Sequence, residues 1–230
     1  MCRTCRLAPP AFVRAVAYGP YQGRMRDAIH ALKYDSLRPA AHRLGGLLAL
    51  SLAQLVAEAP LEMLVVPVPL HRAKHADRGF NQARLLAVEA LGFLRESHPE
   101  WKLTLAPSTL MRLRATESQA GLTPRQRRLN VRGAFSVSNP AAVAGKHVLV
   151  VDDIMTTGAT ARAAARALNQ AGAESVWVAT LARARMINPG RRGASAQFDD
   201  ASTIRATPGN PLSINLNDES MHSSPNQPSF

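Results

Sequence analysis

Short apolar runs alternate with amphipathic helical segments along most of this chain. Three of the runs, LEMLVVPVPL, GKHVLVVDD and ESVWVATLA, have the length and the continuous apolar character of a buried strand. Segments such as NQARLLAVEALGFLRE and TGATARAAARALNQAG lie between them and show helical periodicity. Strands that are buried on both faces and separated by helices are typical of a parallel sheet covered on both sides. The sequence therefore predicts an α/β fold in which helices flank a parallel sheet.

Composition divides the chain into one folded domain and two flanking segments. Residues 18–185 hold all of these patterns, and their number is typical of one domain. Residues 186–230 contain five Pro and seven Ser without a sustained period, so we predict a disordered tail there. We expect residues 1–17 to be poorly ordered.

The sequence does not indicate insertion into a membrane. No apolar run reaches the roughly 18 residues of a transmembrane helix. The N-terminal stretch MCRTCRLAPPAF lacks the continuous apolar region of a secretory signal. The sequence therefore predicts a cytoplasmic location.

The chain is strongly basic, with a formal net charge of +12 and a sequence pI near 11.1. Such a charge favours phosphate-rich partners, such as nucleic acid, nucleotides or a polyphosphate metabolite. A basic, solvated surface is an equal alternative. Six arginines and one acidic residue, Glu117, lie between Met111 and Arg132. This cluster favours contact with phosphate.

Two adjacent aspartates, Asp152 and Asp153, end the second of these apolar runs, GKHVLVVDD, and a turn from Thr156 to Thr160 follows them. Ligands of parallel sheets bind beyond the carboxyl ends of the strands. A helix N-terminus attracts phosphate, and Gly158 permits close approach of the backbone. The carboxylates accept hydrogen bonds from sugar hydroxyls or bind a metal. A ligand with a sugar diol near a phosphate would satisfy both halves of the motif.

Two other interpretations of this motif are weaker. A P-loop NTPase needs G-x-x-x-x-G-K-[ST], but Gly145 and Lys146 are followed by His147, and Pro140 occupies the place of the first glycine. Alternatively, Thr156 and Thr157 merely cap the helix. Capping would leave the paired carboxylates unexplained.

The stretch from Val148 to Thr160 resembles the PRPP (phosphoribosyl pyrophosphate) binding fingerprint of type I phosphoribosyltransferases. Three further segments, YQGRMRDAIHALKY, VVPVPLHRAKHADRGFNQAR and LMRLRATESQAGLTPRQRRLNVRGAF, are similar to the ComF/GntX family of competence-protein-like phosphoribosyltransferases. The similarity extends from about Tyr18 to Arg183. It implies a type I phosphoribosyltransferase-like fold for residues 18–185.

The resemblance also implies roles for individual residues. Asp152 and Asp153 would bind the ribose hydroxyls at the catalytic centre. The 5′-phosphate would be bound by Thr156, Thr157, Gly158, Ala159 and Thr160. Arg112 and Arg114 would belong to a mobile catalytic loop that closes over the diphosphate. The pyrophosphate would contact Val68, Pro69, Leu70, Arg78 and Arg125.

Several of these residues have simpler alternative roles. Pro67 and Pro69 could simply end a strand, and Asn81 could cap a helix beside a surface-exposed Arg78. The arginine-rich segment could bind a nucleic acid backbone, although it lacks the interleaved aromatic residues of a stacking platform.

Two cysteines, Cys2 and Cys5, form one C-x-x-C pair. A structural zinc site needs about four ligands, and no second pair follows at zinc-ribbon spacing. Relatives of the ComF type usually begin with a four-cysteine zinc ribbon, so residues 1–17 resemble a truncated remnant of one. We therefore expect no complete zinc site.

Two functional hypotheses follow from these features and the resemblance. The first is a glycosyltransferase-class enzyme that binds Mg²⁺ and PRPP, or a related phosphorylated sugar, and transfers the phosphoribosyl group to an unidentified nitrogenous acceptor. The second is a non-catalytic competence or DNA-uptake factor that binds single-stranded DNA, a nucleotide or competence machinery. A PRPP-sensing regulator is a third alternative. No segment identifies a purine or pyrimidine pocket, so the sequence leaves the acceptor open.

Overall fold

A five-stranded parallel sheet forms the centre of the fold, with strand order β1-β7-β6-β2-β3. The computed structural model describes residues 9–34, 38–114, 126, 131 and 133–184. In chain order the elements are β1 Ala15–Pro20, α1 Gly23–Tyr34, α2 Arg38–Ala53, β2 Glu62–Pro67, α3 Arg72–Arg78, α4 Gln82–Ser97, β3 Lys102–Leu105, β4 Leu110–Arg112, β5 Phe135–Val137, a 3₁₀ turn Pro140–Ala142, β6 His147–Met155, α5 Ala159–Gln170 and β7 Ser175–Arg183. Strands β4 and β5 form a separate antiparallel hairpin. The predicted α/β architecture is confirmed.

Strand β6 lies in the middle of the sheet, between β7 and β2. Its residues Val148–Val151 are completely buried. They pair with β2 on one side and β7 on the other. A continuous apolar run is stable in this position because both of its faces are covered. The same arrangement brings the residues that follow Val151 to the carboxyl edge of the sheet.

Two hydrophobic clusters cover the two faces of the sheet. One contains Leu149 and Val151 of β6 together with residues of α1, α2 and α4. The other contains Val148 and Val150 together with residues of α5 and the β4–β5 hairpin. Side chains along a strand alternate between its faces, so successive residues of β6 face different helices.

The structure contains three elements that the sequence patterns did not predict: β1, α3 and the β4–β5 hairpin. The predicted domain boundary at residue 18 falls inside β1, because that strand begins at Ala15. Residues 1–8 and the predicted disordered tail lie outside the described residues. Among the helices that the structure describes, none is long and apolar enough to cross a membrane.

Helices α2 and α4 approach each other closely at Gly45. A Cβ atom at this position would overlap the Cβ of Glu89 and would lie 3.2 Å from the backbone nitrogen of Ala90. We expect Gly45→Ala to lower the free energy of unfolding by about 1–3 kcal/mol, because the helices must separate to admit the methyl group. Urea denaturation of the variant and wild type measures this change.

Gly92→Ala is the matched control for this prediction. Gly92 is an exposed position of α4, where an added Cβ has no neighbour within 4 Å. Alanine is the better helix former, so this variant is expected to gain about 0.5–1 kcal/mol. Equal stability of the two variants would contradict the close approach of α2 and α4 at Gly45.

Candidate active site

The two aspartates of β6 are directed towards opposite faces of the sheet. Asp153 continues the series of Leu149 and Val151 and contacts Lys33 of α1. Asp152 continues the series of Val148 and Val150, which face the β4–β5 hairpin. Its Oδ1 accepts a hydrogen bond of 2.9 Å from the backbone N–H of Asp153. The two carboxylates therefore have different surroundings although they are adjacent in sequence.

Asp153 forms a buried ion pair. Its Oδ2 lies 2.6 Å from the Nζ of Lys33, and the side chains of Asp153 and Lys33 are only 7% and 19% exposed. Lys33 belongs to the last turn of α1. Helix α1 is thus fixed at its C-terminal end to the carboxyl edge of the sheet.

The environment of Asp152 disfavours the charged form of its carboxyl group. Its burial raises the pKa of the carboxyl group well above the ordinary value, and the neighbouring Asp153 raises that pKa further. Burial lowers the pKa of the Arg112 guanidinium, and the charge of Asp152 opposes this lowering. The guanidinium carbon of Arg112 lies 5.5 Å from the centroid of the Phe135 ring, within the range of a cation–π contact. The hairpin therefore places the predicted Arg112 on the face of the sheet that Val148 and Val150 also occupy.

The turn after β6 leads directly into α5. Gly158 is the N-cap of this helix, with φ 72° and ψ 15°, and a glycine has no side chain with which to cap the helix end. The interpretation in which Thr156 and Thr157 cap the helix is therefore wrong. The hydroxyl oxygen of Thr157 is buried and has no hydrogen-bond partner among the residues that the structure describes. A buried hydroxyl without a partner is unfavourable, and an anion at the helix N-terminus would supply the missing acceptor.

The turn after β2 lies beside β6. The backbone N–H of Val68 donates a hydrogen bond of 2.8 Å to the carbonyl of Val151. The carbonyl of Val68 accepts one of 3.0 Å from the Asn81 side chain. Asn81 also caps α4, as the sequence allowed, since its Oδ1 accepts from the N–H groups of Ala83 and Arg84. The predicted pyrophosphate turn is thus hydrogen-bonded both to β6 and to the N-cap residue of α4.

An open cleft of about 820 Å³ lies between this turn and the hairpin. The turn contributes Pro69, Leu70, His71 and Arg72, and the hairpin contributes Leu110–Leu113. Arg112 thus belongs both to the cleft and to the surroundings of Asp152. The cleft combines apolar side chains with two arginines, a composition suited to an anionic or mixed ligand.

Comparison with known proteins identifies the family to which the chain belongs. A family profile described as "Phosphoribosyl transferase domain" matches residues 84–207, more than half of the chain. DNA utilization protein YhgH of Escherichia coli (strain K12) is 34% identical over 184 residues, which are 79% of this chain and 77% of that protein. The chain belongs to the ComF family of phosphoribosyltransferase-fold proteins.

Two further ComF-family relatives carry competence names. Competence protein F of Haemophilus influenzae is 28% identical over 186 residues, which are 80% of this chain and 78% of that protein. Competence protein ComFC of Bacillus subtilis (strain 168) is 39% identical over 121 residues, which are 52% of this chain and 44% of that protein. A phosphoribosyltransferase-like or ComF-type competence role is therefore supported.

The structure describes two further arginines of the site predicted for this ComF-family protein. Arg78 ends α3, where its Nη1 lies 3.3 Å from the Oε1 of Gln82. Arg114 is exposed beyond the end of β4. Arg125, Cys2 and Cys5 lie outside the described residues.

Lys33 is the residue of the site that the sequence interpretation missed. It lies in the segment YQGRMRDAIHALKY, which carries part of the family resemblance. Within that segment only the apolar spacing of α1 was informative, and Lys33 is one of several basic residues of the helix. A local pattern does not show that this lysine contacts a carboxylate far along the chain.

Proposed function

We propose that this ComF-family protein binds PRPP with Mg²⁺ and transfers the phosphoribosyl group to a nitrogenous acceptor. The observation that carries the proposal is the position of Asp152 near the end of β6, one short turn before the N-terminus of α5, where the N-cap is Gly158. A carboxylate accepts hydrogen bonds from ribose hydroxyls, whereas a helix N-terminus attracts a phosphate. PRPP has a ribose diol and a 5′-phosphate on the same sugar, so one molecule can occupy both positions.

The 5′-phosphate would bind at the turn between β6 and α5. The first N–H groups of a helix have no acceptors within the helix, so the N–H of Ala159 at the start of α5 can donate to a phosphate. The buried hydroxyl of Thr157 would supply a further donor. Gly158 maintains the left-handed conformation that this turn requires.

The diphosphate would extend from the anomeric carbon into the cleft between Pro69 and the hairpin. Arg112 lines that cleft and interacts electrostatically with Asp152. A guanidinium there can form charge-assisted hydrogen bonds with phosphate oxygens. The buried Val68 would hold the turn after β2 in place rather than contact the ligand, because its backbone N–H and carbonyl are hydrogen-bonded to Val151 and Asn81.

Mg²⁺ fits this site only together with its ligand. In the part of the chain that the structure describes, no three His, Cys, Asp or Glu side chains come together as a metal site. Mg²⁺ commonly binds one or two carboxylates together with substrate phosphates, and Asp152 would be the contributing carboxylate. When bound, the ion would neutralise charge that develops on the departing pyrophosphate.

During transfer, the bond between the anomeric carbon and the diphosphate oxygen breaks, and a bond to the acceptor nitrogen forms. The acceptor loses a proton when its nitrogen becomes bonded to the sugar. Positive charge develops on the ribose ring, and the Asp152 carboxylate would stabilise it from a fixed position. Arg112 would stabilise the opposite charge on the leaving group.

A calorimetric titration of PRPP into the full-length protein, with and without Mg²⁺, tests the proposal. We expect saturable binding that depends on Mg²⁺, and release of pyrophosphate when the correct nitrogenous base is added from a panel. Binding without pyrophosphate release from any base would favour the PRPP-sensing role over catalysis. Absence of binding in the presence of Mg²⁺ would contradict the proposal.

A second candidate function is the binding of single-stranded DNA without catalysis. Helix α3 favours it, because it has no buried residue and exposes Arg72, Lys74 and His75 beside the cleft. The relatives named for DNA utilization and competence are consistent with such a role. DNA held by several cations would dissociate steeply as salt rises from about 50 to 200 mM. An oligonucleotide that binds in this manner, to a protein that does not bind PRPP, would favour the second candidate.

A further inference from the structure

The ion pair between Lys33 and Asp153 differs from an ordinary surface pair. The distance from Lys33 Nζ to Asp153 Oδ2 is 2.6 Å, and both side chains are largely buried. Lys102 and Glu62 form the comparison, since their charged atoms are 3.2 Å apart and their side chains are 72% and 73% exposed. An exposed pair of that kind contributes little to stability. The buried pair must have a different role or a much larger energetic consequence.

Stability alone is a poor explanation for the buried pair. Removing two charges from water is unfavourable, and a buried ion pair is often no more stable than apolar residues of similar volume. Around Lys33, apolar residues already fix α1 to the sheet, since Ile29 and Leu32 are completely buried in the same cluster as Leu149 and Val151. The ion pair instead restricts orientation, because Lys33 places its charge against Oδ2 of Asp153, a buried atom that has no hydrogen-bond partner among the described residues.

The orientation of Asp153 matters because of its neighbour. Asp152 follows Val148 and Val150 on the side of β6 that packs against the hairpin, whereas Asp153 contacts Lys33 of α1. The N–H of Asp153 donates to Oδ1 of Asp152, so the backbone of one aspartate helps to fix the side chain of the other. An anchor on Asp153 therefore acts on the position of the Asp152 carboxylate.

We propose that Lys33 is a positioning residue of the phosphoribosyl site, which anchors Asp153 and thereby holds Asp152 towards the ribose. This inference rests on the proposed function. It assigns different work to the two aspartates: Asp153 binds the lysine, and Asp152 presents its carboxylate to the ligand. It also makes the C-terminal turn of α1 part of the active site.

The test measures the affinity for PRPP with Mg²⁺ by calorimetry in four proteins: wild type, Lys33→Met, Asp153→Asn and the double variant. We expect Lys33→Met to weaken binding about tenfold, the effect of a carboxylate that is no longer fixed. In the Asp153→Asn background the same substitution is expected to cause no further loss, because the lysine acts through Asp153.

Two controls separate this role from a general effect on folding. Lys33→Arg keeps the cation and is expected to retain affinity within about threefold of wild type. Lys102→Met removes a lysine from the exposed pair and is expected to leave affinity unchanged. Thermal unfolding confirms that each variant is folded. If Lys33→Met alone does not fold, the double variant of Lys33→Met with Asp153→Asn can still be used, because it leaves neither charge of the pair unpaired. The affinity of the double variant for PRPP is then compared with that of Asp153→Asn, and this comparison shows whether Lys33 acts through Asp153.

Each outcome has a definite meaning. Unchanged affinity of a folded Lys33→Met would overturn the inference. So would a further loss of affinity in the double variant relative to Asp153→Asn, since Lys33 would then act without Asp153. If wild type itself does not bind PRPP, the proposed function fails, whereas the first two outcomes leave it intact.

Discussion

Asp152→Asn is expected to weaken binding of PRPP with Mg²⁺ by about 100-fold while the folded protein becomes more stable. The loss of affinity follows because a carboxylate forms charge-assisted hydrogen bonds with the ribose hydroxyls, and an amide does so less strongly. The gain in stability follows because the half-buried Asp152 carboxylate is partly removed from water and is held beside Asp153. Removing its charge relieves both penalties. We expect about 1 kcal/mol, or a rise in Tm of about 2–4 °C.

The stability gained by Asp152→Asn should increase with pH. The pKa of Asp152 is raised in the folded protein, whereas in the unfolded chain it is about 3.9. Between these two values the folded state binds more protons than the unfolded state, so wild-type stability falls as pH rises through that window. Asparagine has no proton to lose and lacks this dependence. Calorimetric Tm values for both proteins at about pH 5 and pH 8 measure the difference.

Asp77→Asn is the matched control, because Asp77 is exposed on α3. It is expected to leave both the Tm and the affinity for PRPP unchanged. If Asp152→Asn were less stable than wild type at both pH values, the charge repulsion inferred at the end of β6 would be absent. Unchanged affinity for PRPP would remove Asp152 from the ribose site.

Gly158→Val is expected to abolish most PRPP binding, with a loss of about 100-fold or more. Gly158 has a φ of 72°, a conformation that is a genuine outlier for a β-branched residue. A side chain there would already contact Met155, whose Sδ lies 3.7 Å from the position of an added Cβ. The turn must therefore change its path, and the N–H groups directed at the 5′-phosphate would move. Titration of PRPP into the variant measures the loss.

Gly145→Val separates loss of binding from loss of stability. Gly145 also has a positive φ, of 67°, but it precedes β6 and an added Cβ would have no neighbour within 4 Å. Both variants are expected to lose about 1–3 kcal/mol of stability from backbone strain. Only Gly158→Val should lose affinity. If the two variants bound PRPP equally well, the turn after β6 would not be the phosphate site.

The central strands and the Asp-Asp-Ile-Met-Thr-Thr-Gly motif could be predicted because each is contiguous in the sequence. Val148–Val151 are apolar on both faces, so they predict a buried strand without knowledge of their partners. The aspartates and the glycine turn follow directly, and parallel-sheet topology places them at the ligand-binding edge. Within this part of the chain, local pattern and tertiary structure agree.

The remaining features depend on contacts between distant segments. Strand β1 is an edge strand in which only Val16 is buried, so its sequence lacks a strong apolar pattern and its conformation depends on pairing with β7. The contact of Lys33 with Asp153 depends on the path of α1 across the sheet. The contribution of Arg112 depends on the β4–β5 pairing. None of these contacts has a local signature.

The most direct test of the central claim is a ³¹P NMR titration of PRPP and Mg²⁺ with the full-length protein. The ligand has distinct resonances for its 5′-phosphate and its diphosphate, so each half of the proposed site is observed separately. We predict that both sets of resonances shift or broaden with wild type, and that the 5′-phosphate response is lost with Gly158→Val. Resonances that stay unchanged when wild type is added in excess would contradict the assignment of this site to PRPP.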